Sequence, residues 1–177
     1  MVKRGLFVGR FQPFHKGHLG ALEDILKKVD ELIIVIGSAQ YSHRLDNPFT
    51  TGERVTMIRE ALNEAKVEPS RYWIIPIRDI HVHMLWVAEV VGFTPKFDIV
   101  YTNEPLTRRL FIEGGFKVEP IPFHEREKYS STIIRERMLK NKSWEELVPK
   151  SVAIFIKKIE GVERLQELVK SDKAPKV

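Results

Sequence analysis

Short apolar runs, each closed by glycine or proline, alternate along this chain with segments whose apolar residues recur at helical spacing. The first run, Gly5-Leu6-Phe7-Val8-Gly9, has no polar alternation and reads as a strand buried on both faces. Residues 17–29 follow with Leu19, Leu22, Ile25, Leu26 and Val29 on one helical face. A second β-branched run, Leu32-Ile33-Ile34-Val35-Ile36, stops at Gly37 and completes a strand-helix-strand unit. Two strands joined this way run parallel, with a right-handed crossover.

The alternation continues. Thr50 and Glu53 have capping-box spacing and open a helix that runs through Ala65. Residues 72–77 read as a strand, with Pro76 marking its end or a sheet edge. Residues 83–91 read as a helix and 97–101 as a strand. Residues 105–112 form a helix ended by Gly114-Gly115, and 116–120 a last short strand. From Ser131 onward only helical spacing is left, interrupted near Asn141, Pro149 and Gly161, with a polar tail over 171–177 expected to fray. The pattern predicts an α/β fold in one domain, 1–177: a five-strand parallel sheet in 1–129 and a helical segment in 130–177. Ligands of such sheets sit at the carboxyl ends of the strands, so the loops after Gly9, Gly37, Ile77 and Tyr101 carry the search for chemistry.

Composition narrows the choices. The 177 residues contain no cysteine, which excludes disulfides, a thiol nucleophile and cysteine-ligated metal. No apolar run reaches membrane-spanning length. Met1 to Arg4 leads straight into the first strand without an apolar leader, so a cytoplasmic protein is expected. A net charge of +5 suits an anionic partner such as a nucleotide or phosphate. Basic residues are interspersed with acids, as in Arg135-Glu136-Arg137, rather than gathered in a stripe, which argues against nucleic acid. Seven Asn and Gln against 30% charged residues lean towards a thermophilic source.

The loop after the first strand, Gly9-Arg10-Phe11-Gln12-Pro13-Phe14-His15-Lys16-Gly17-His18, has the makings of a phosphate site. A helix begins there, so its unpaired N–H groups and positive dipole end favour an anion. Gly17 permits close backbone approach. His15 and His18 share a face if the helix has begun, and imidazole N–H groups can bind phosphate oxygens. The guanidinium of Arg10 adds a planar fork. Ser131 and Thr132 stand at a second predicted helix start, with Arg135 one turn on. Neither the G-x-x-x-x-G-K-[ST] loop nor G-x-G-x-x-G occurs, which weighs against a P-loop kinase and an ordinary dinucleotide oxidoreductase.

His15-Lys16-Gly17-His18 resembles the H-x-G-H signature of the nucleotidylyltransferase superfamily, and Ser130 to Arg135 resembles its S-[ST]-T-x-[IV]-R signature. Together with Gly37-Ser38-Ala39-Gln40, the block from Asn47 to Arg54 and the block from Gly161 to Leu165, they make the chain similar to the archaeal-type nicotinamide mononucleotide (NMN) adenylyltransferase family along nearly its whole length. The resemblance implies a Rossmann-like, doubly wound nucleotidyltransferase fold. It implies formation of NAD and pyrophosphate from NMN and ATP, assisted by Mg²⁺, in a homo-oligomer, with a hexamer the expected form. It assigns His15, His18 and Arg135 to catalysis on the ATP phosphates, Gly9, Arg10, Gly17, Ser131 and Thr132 to phosphate binding, and Gly37, Ser38, Ile80, His83 and Trp86 to the mononucleotide. Arg44 is a further phosphate ligand or a surface arginine, and Trp86 stacks on the pyridine ring or belongs to the core.

The chain departs from the family in two places. Relatives carry Asn where His83 stands, and a donor-only histidine would favour the carboxylate of nicotinic acid mononucleotide. After the fourth strand Thr102-Asn103-Glu104-Pro105 replaces Gly-Asn-Pro, so no adenosine contact is assigned there. His43, His81 and His124 lack metal-binding spacing and are assigned nothing. Alternatives are another adenylyl- or cytidylyltransferase of the superfamily and, from a different class, a non-catalytic nucleotide sensor.

Overall fold

A computed structural model describes residues 1–80, 82–121 and 127–171. His81, His124 and the tail from 172 lie outside the described residues. The chain divides into two compact units. The first comprises Met1–Arg10, Gly20–Gln40 and Val67–His124; the second comprises Phe11–Leu19, Tyr41–Lys66 and Glu125–Val177.

The first unit holds the sheet. Strands β1 (Arg4–Gly9), β2 (Glu31–Ile36), β3 (Tyr72–Pro76), β4 (Ile99–Tyr101) and β5 (Lys117–Glu119) lie in the order β3-β2-β1-β4-β5, and every pairing is parallel. Helix α1 (Lys16–Leu26) begins in the second unit and continues here, joined by α3 (His83–Phe93) and α4 (Pro105–Glu113). The expected five-strand parallel α/β fold is therefore present. The order reverses between β1 and β4, which makes the carboxyl ends of those strands the topological switch point. Leu32 to Ile36 are fully buried, as an unbroken β-branched run requires. One core cluster combines Leu6, Ile33, Val35 and Val100 of the sheet with Val90 of α3 and Phe111 of α4. Pro76 ends β3 at the sheet edge, where its missing N–H costs no central ladder bond.

Three details differ from the sequence pattern. Helix α1 stops at Leu26 rather than 29 because the chain must turn back into β2; Val29 remains buried and so carried a helical signal without being helical. Strands β4 and β5 are three residues each. The flanking Phe97 and Phe116 stack on each other at 4.9 Å, so their apolar character serves packing rather than strand pairing. A short 3₁₀ turn, Pro69–Arg71, was not foreseen. Its Arg71 donates to the carbonyls of Leu26 (2.7 Å) and Val29 (2.8 Å), satisfying acceptors where α1 ends.

The second unit contains α2 (Thr51–Glu64), α5 (Ser131–Leu139), α6 (Lys150–Lys158) and α7 (Gly161–Ser171). The capping box is formed: Glu53 N–H donates to Thr50 Oγ1 (3.2 Å) and Thr50 N–H to Glu53 Oε2 (2.8 Å). Arg164 of α7 grips the same carboxylate through both terminal nitrogens, each at 2.8 Å. Glu64 of α2 accepts from Lys150 N–H and Ser151 N–H and so caps α6, whose own N-cap is Pro149.

Gly161 has a packing role. A Cβ there would stand 2.8 Å from the Phe49 ring and 3.1 Å from Ile156 Cγ2. Gly161→Ala is expected to cost about 1–3 kcal/mol through overpacking. Chemical denaturation checks this; an unchanged midpoint would mean that Phe49 yields freely. Among the described residues no helix is long and apolar enough to cross a membrane.

Candidate active site

The loop 11–18 brings the two histidines of the first signature face to face. Their rings stack with centroids 3.5 Å apart and planes 18° apart. The main-chain N–H of His18 donates to His15 Nδ1 (3.2 Å), and that of His15 donates to His18 Nδ1 (3.3 Å). His15 stands at the helix threshold, its carbonyl accepting the first helical bond from Leu19. Because each Nδ1 is an acceptor, a neutral ring must carry its proton on Nε2. Burial drives His15 from its ordinary 6.5 down to about 3. His18 falls well below the same value through burial and then the neighbouring His15. Both rings are thus neutral Nε2–H donors at pH 7. Phe11 and Phe14 support the His18 ring at 4.9 and 5.5 Å.

Several contacts hold this loop in place. Gln12 is 1% exposed, and its carboxamide pairs with the backbone of Phe49 in both directions: Nε2 to Phe49 O (3.0 Å) and Phe49 N–H to Oε1 (2.9 Å). Arg135 Nη1 donates to Gln12 O (2.7 Å), with Nη2 3.5 Å from Thr132 Oγ1. Ser131 Oγ donates to Pro13 O (3.0 Å). The hydroxyl of Ser131 therefore ties α5 to the histidine loop, while α5 begins at Ser130 without a side-chain cap. At Gly17 a Cβ would stand 2.9 Å from Tyr129 Cβ and 3.2 Å from the His15 ring. Its missing side chain thus makes room for the chain's own packing. Thr132 is exposed, and Arg44 is half-exposed over the Tyr41 ring at 5.1 Å with Asp46 at 3.4 Å.

The sheet unit holds the other expected residues. Gly9 ends β1, exposed Arg10 follows it, and Gly9 O accepts from Gly37 N–H (3.0 Å). Ser38 is buried with φ 51°, and its N–H and Oγ reach the two carboxylate oxygens of Asp79 at 3.0 and 2.6 Å. Ile80 follows, then His83 as the exposed first residue of α3. Trp86 packs partly against the sheet core, edge-on to Phe111 at 5.6 Å. Its buried Nε1 has no hydrogen-bond partner among the described residues. Glu104 caps α4, accepting from Leu106 N–H (3.1 Å) and Thr107 N–H (2.5 Å). A carboxylate there leaves the start of α4 unsuited to an anion.

Sequence reasoning gave no role to Gln12, Gln40 and Tyr129, whereas the resemblance matches Asp79, together with Ile80 and Trp86, to the nicotinamide end. A usable signal was present: three of the seven side-chain amides, Gln12, Gln40 and Asn103, lie just past β1, β2 and β4.

Stacked histidines on a helix threshold, with an arginine of a second helix bonded to the backbone of the same loop, point to the nucleotidyltransferase class. Residues 6–137 match the family described as cytidylyltransferase-like, and the chain belongs to that family. Within it, the chain is 52% identical over 168 residues to nicotinamide-nucleotide adenylyltransferase of Thermococcus kodakarensis, covering 95% of this chain and 89% of that one. Among solved structures it resembles a bifunctional NMN adenylyltransferase/ADP ribose pyrophosphatase from Francisella tularensis, with TM-score 0.79 and 21% identity over 97% of this chain. This chain spans 54% of the length of that one. A structure of the Francisella protein complexed with AMP and a manganese ion gives TM-score 0.76 at 22% identity, over 94% of this chain and 52% of that one. At such identities the likeness carries the fold alone.

Proposed function

We propose that the chain is a nicotinamide-nucleotide adenylyltransferase. An NMN phosphate oxygen attacks the α-phosphorus of ATP in line. One P–O bond forms as the bond to the bridging oxygen of the β-phosphate breaks, giving NAD and pyrophosphate. The observation that carries this reading is the reciprocal histidine lock, which presents two neutral N–H donors at a helix start. Phosphoryl transfer of this kind needs positioning and charge stabilisation, because the attacking phosphate is already ionised.

His15 and His18 would donate to the ATP phosphates as charge builds, and Arg135 would hold the β and γ phosphates that leave. Backbone at Gly9 and Gly17 and the uncapped start of α5 at Ser131 and Thr132 suit phosphate oxygens. Arg10 and Arg44 would hold the mononucleotide phosphate. Gly37, Ser38, Ile80, His83 and Trp86 would receive its nucleoside end. Among the described residues no group of three His, Asp or Glu side chains is placed to hold a metal. A divalent cation, Mg²⁺ in this reading, would arrive with ATP and take phosphate oxygens and water as ligands. A cytoplasmic homo-oligomer built from one domain per chain completes the proposal.

A second reading concerns the pyridine substituent. His83 is the exposed first residue of α3, where the helix dipole favours a negative group and no side chain caps the end. That favours nicotinic acid mononucleotide as a co-substrate. A pyrophosphate-release assay with ATP, Mg²⁺ and a panel of phosphate acceptors tests both readings. Release with NMN is expected, and none with either pyridine mononucleotide would overturn the function. His83→Asn is expected to shift the kcat/KM ratio at least about threefold towards the amide, a difference of about 0.65 kcal/mol or more. An unchanged ratio removes His83 from substrate choice.

A further inference from the structure

Helix α3 carries an apolar face with nothing packed on it. Of its 11 residues only His83 and Glu89 are ionisable, and a helix that is apolar all round belongs inside a protein. Yet Val90 is the one residue of α3 that is buried, with Trp86 and Val87 packed partly against the sheet core. At about 100° per residue, Met84, Leu85, Ala88, Val91 and Gly92 share an arc of about 120° on the far side of the helix. All five are exposed, Met84 by 85%, Leu85 by 57% and Val91 by 46%. Glu89 lies on the flank of this arc, where Arg78 holds it at 3.4 Å, so the arc itself is free of charge.

Gly92 is a second, independent observation. It is not in the left-handed region that favours glycine, and among the described residues a Cβ there would meet nothing within 4 Å. Neither backbone geometry nor packing within the chain calls for a glycine, although glycine weakens a helix relative to alanine. A neighbour from outside the chain that comes close to the helix does call for one. The arc is also symmetric about Ala88: Met84 and Gly92 lie four residues to either side of it, Leu85 and Val91 three. Two copies of α3 crossing antiparallel on a two-fold axis at Ala88 set Met84 of each copy into the hollow at Gly92 of the other, and Leu85 against Val91. Large meets small, and no charge is stripped of water. A foreign surface has no reason to repeat this spacing in reverse, whereas a second α3 does so by symmetry. A standard interface takes about 800 Å² from each partner. The arc supplies the apolar centre of such an interface, Phe93, 62% exposed, extends it at the helix end, and the Arg78–Glu89 pair stands where a polar rim belongs.

We infer that α3 is the surface through which two copies of this chain pair, antiparallel about Ala88. This rests on the reading of the chain as a homo-oligomer and gives that oligomer a two-fold contact. An isologous contact of this kind joins copies in twos, so its loss halves the mass of whatever closed assembly contains it.

Light scattering on chromatographed full-length chain tests the pairing, with a thermal melt for each variant. The wild type is expected to be an even-numbered assembly. Ala88→Glu sets like charges face to face on the axis and should raise the dissociation constant of the pair at least about a hundredfold, halving the mass from dimer to monomer or from hexamer to trimer. Ala88→Lys should do the same. Both introduce good helix formers at an exposed position, so each should keep its fold, and the lysine variant decides the matter if the glutamate one does not. Mixed in equal amounts, the two variants should regain the full mass, because residue 88 meets residue 88 only across the two-fold axis. Gly92→Leu fills the hollow and should also separate the copies, although leucine strengthens the helix taken alone. A monomeric wild type would overturn the homo-oligomer reading and the pairing with it, leaving the face to a different protein or a lipid surface. An oligomeric wild type whose mass neither charged variant alters would overturn the pairing alone. Halved masses that fail to recover on mixing would overturn the antiparallel register at Ala88.

Discussion

His18→Ala is expected to lower kcat by about two to three orders of magnitude, the usual loss when one preorganised donor to developing charge is removed. KM for NMN should stay within about threefold, because the lost donor belongs to the step rather than to the mononucleotide. The reciprocal bonds sharpen the expectation. Removing the His18 ring also removes the acceptor of the His15 N–H, so His15 loses its ring partner and part of its backbone restraint. His18→Gln keeps an N–H near the Nε2 position and should recover part of the rate. An unchanged kcat in His18→Ala would refute the assigned role.

Stability should show the same pair. Both histidines are held neutral when folded but bind protons near 6.5 when unfolded. Between those values the unfolded state takes up more protons, so stability falls as pH drops from about 6.5 towards 3. Replacing both rings with glutamine is expected to flatten that slope. Phosphates arriving at Nε2 would favour the protonated rings and narrow the window.

The largest expected loss of stability lies at Glu53 and Arg164. Glu53→Ala removes a two-pronged ion pair, with both side chains mostly shielded, and half of a capping box. A loss of about 2–4 kcal/mol follows, less than for a fully buried pair. Arg164→Ala should cost nearly as much alone and much less in the Glu53→Ala background. Burial by itself would raise the Glu53 carboxyl, but donation from Arg164 and Thr50 outweighs it and holds the group below its ordinary 4.5. Its stabilising contribution is therefore complete above 4.5 and disappears as pH falls through the lower folded value. Glu53→Gln should soften acid unfolding below that point while leaving the histidine slope above it. Denaturant titrations across pH check both, and additive losses in the double variant would mean the pair is uncoupled.

Much of this is legible in the amino-acid sequence alone, for a physical reason. The run 32–36, the Thr50–Glu53 box and the breaks at Asn141 and Pro149 depend on neighbours within a few residues. Both signatures also announce themselves locally. What joins them does not. Arg135 reaches the Gln12 carbonyl and Ser131 the Pro13 carbonyl across more than a hundred residues. Gln12 meets Phe49 and Asp79 meets Ser38 across intermediate distances. No periodicity encodes such pairings, so Gln12 read only as part of a motif and the Ser38 partner of Asp79 stayed hidden. The steric demand on Gly17 from Tyr129 and the His15 ring is likewise invisible in the sequence. The end of α1 and the start of β4 were misjudged because Val29 and Phe97 are buried although they lie just outside the regular elements.

The amides past the strand ends also bear on how this protein ages. Gln12, Gln40 and Asn103 each pair with a distant N–H and C=O as a peptide group would, the last through Ile121 at 3.1 and 2.7 Å. Hydrolysis of such an amide releases ammonia and leaves a carboxylate, which still accepts but no longer donates and faces a carbonyl it repels. Covalent damage of a few atoms would thus unfasten a loop without disturbing the sheet beneath it. Gln12 is sealed from water, whereas Gln40 is exposed. Chemical wear should therefore reach Gln40, and the loop it fastens to Asp79, well before it reaches Gln12 and the histidine loop.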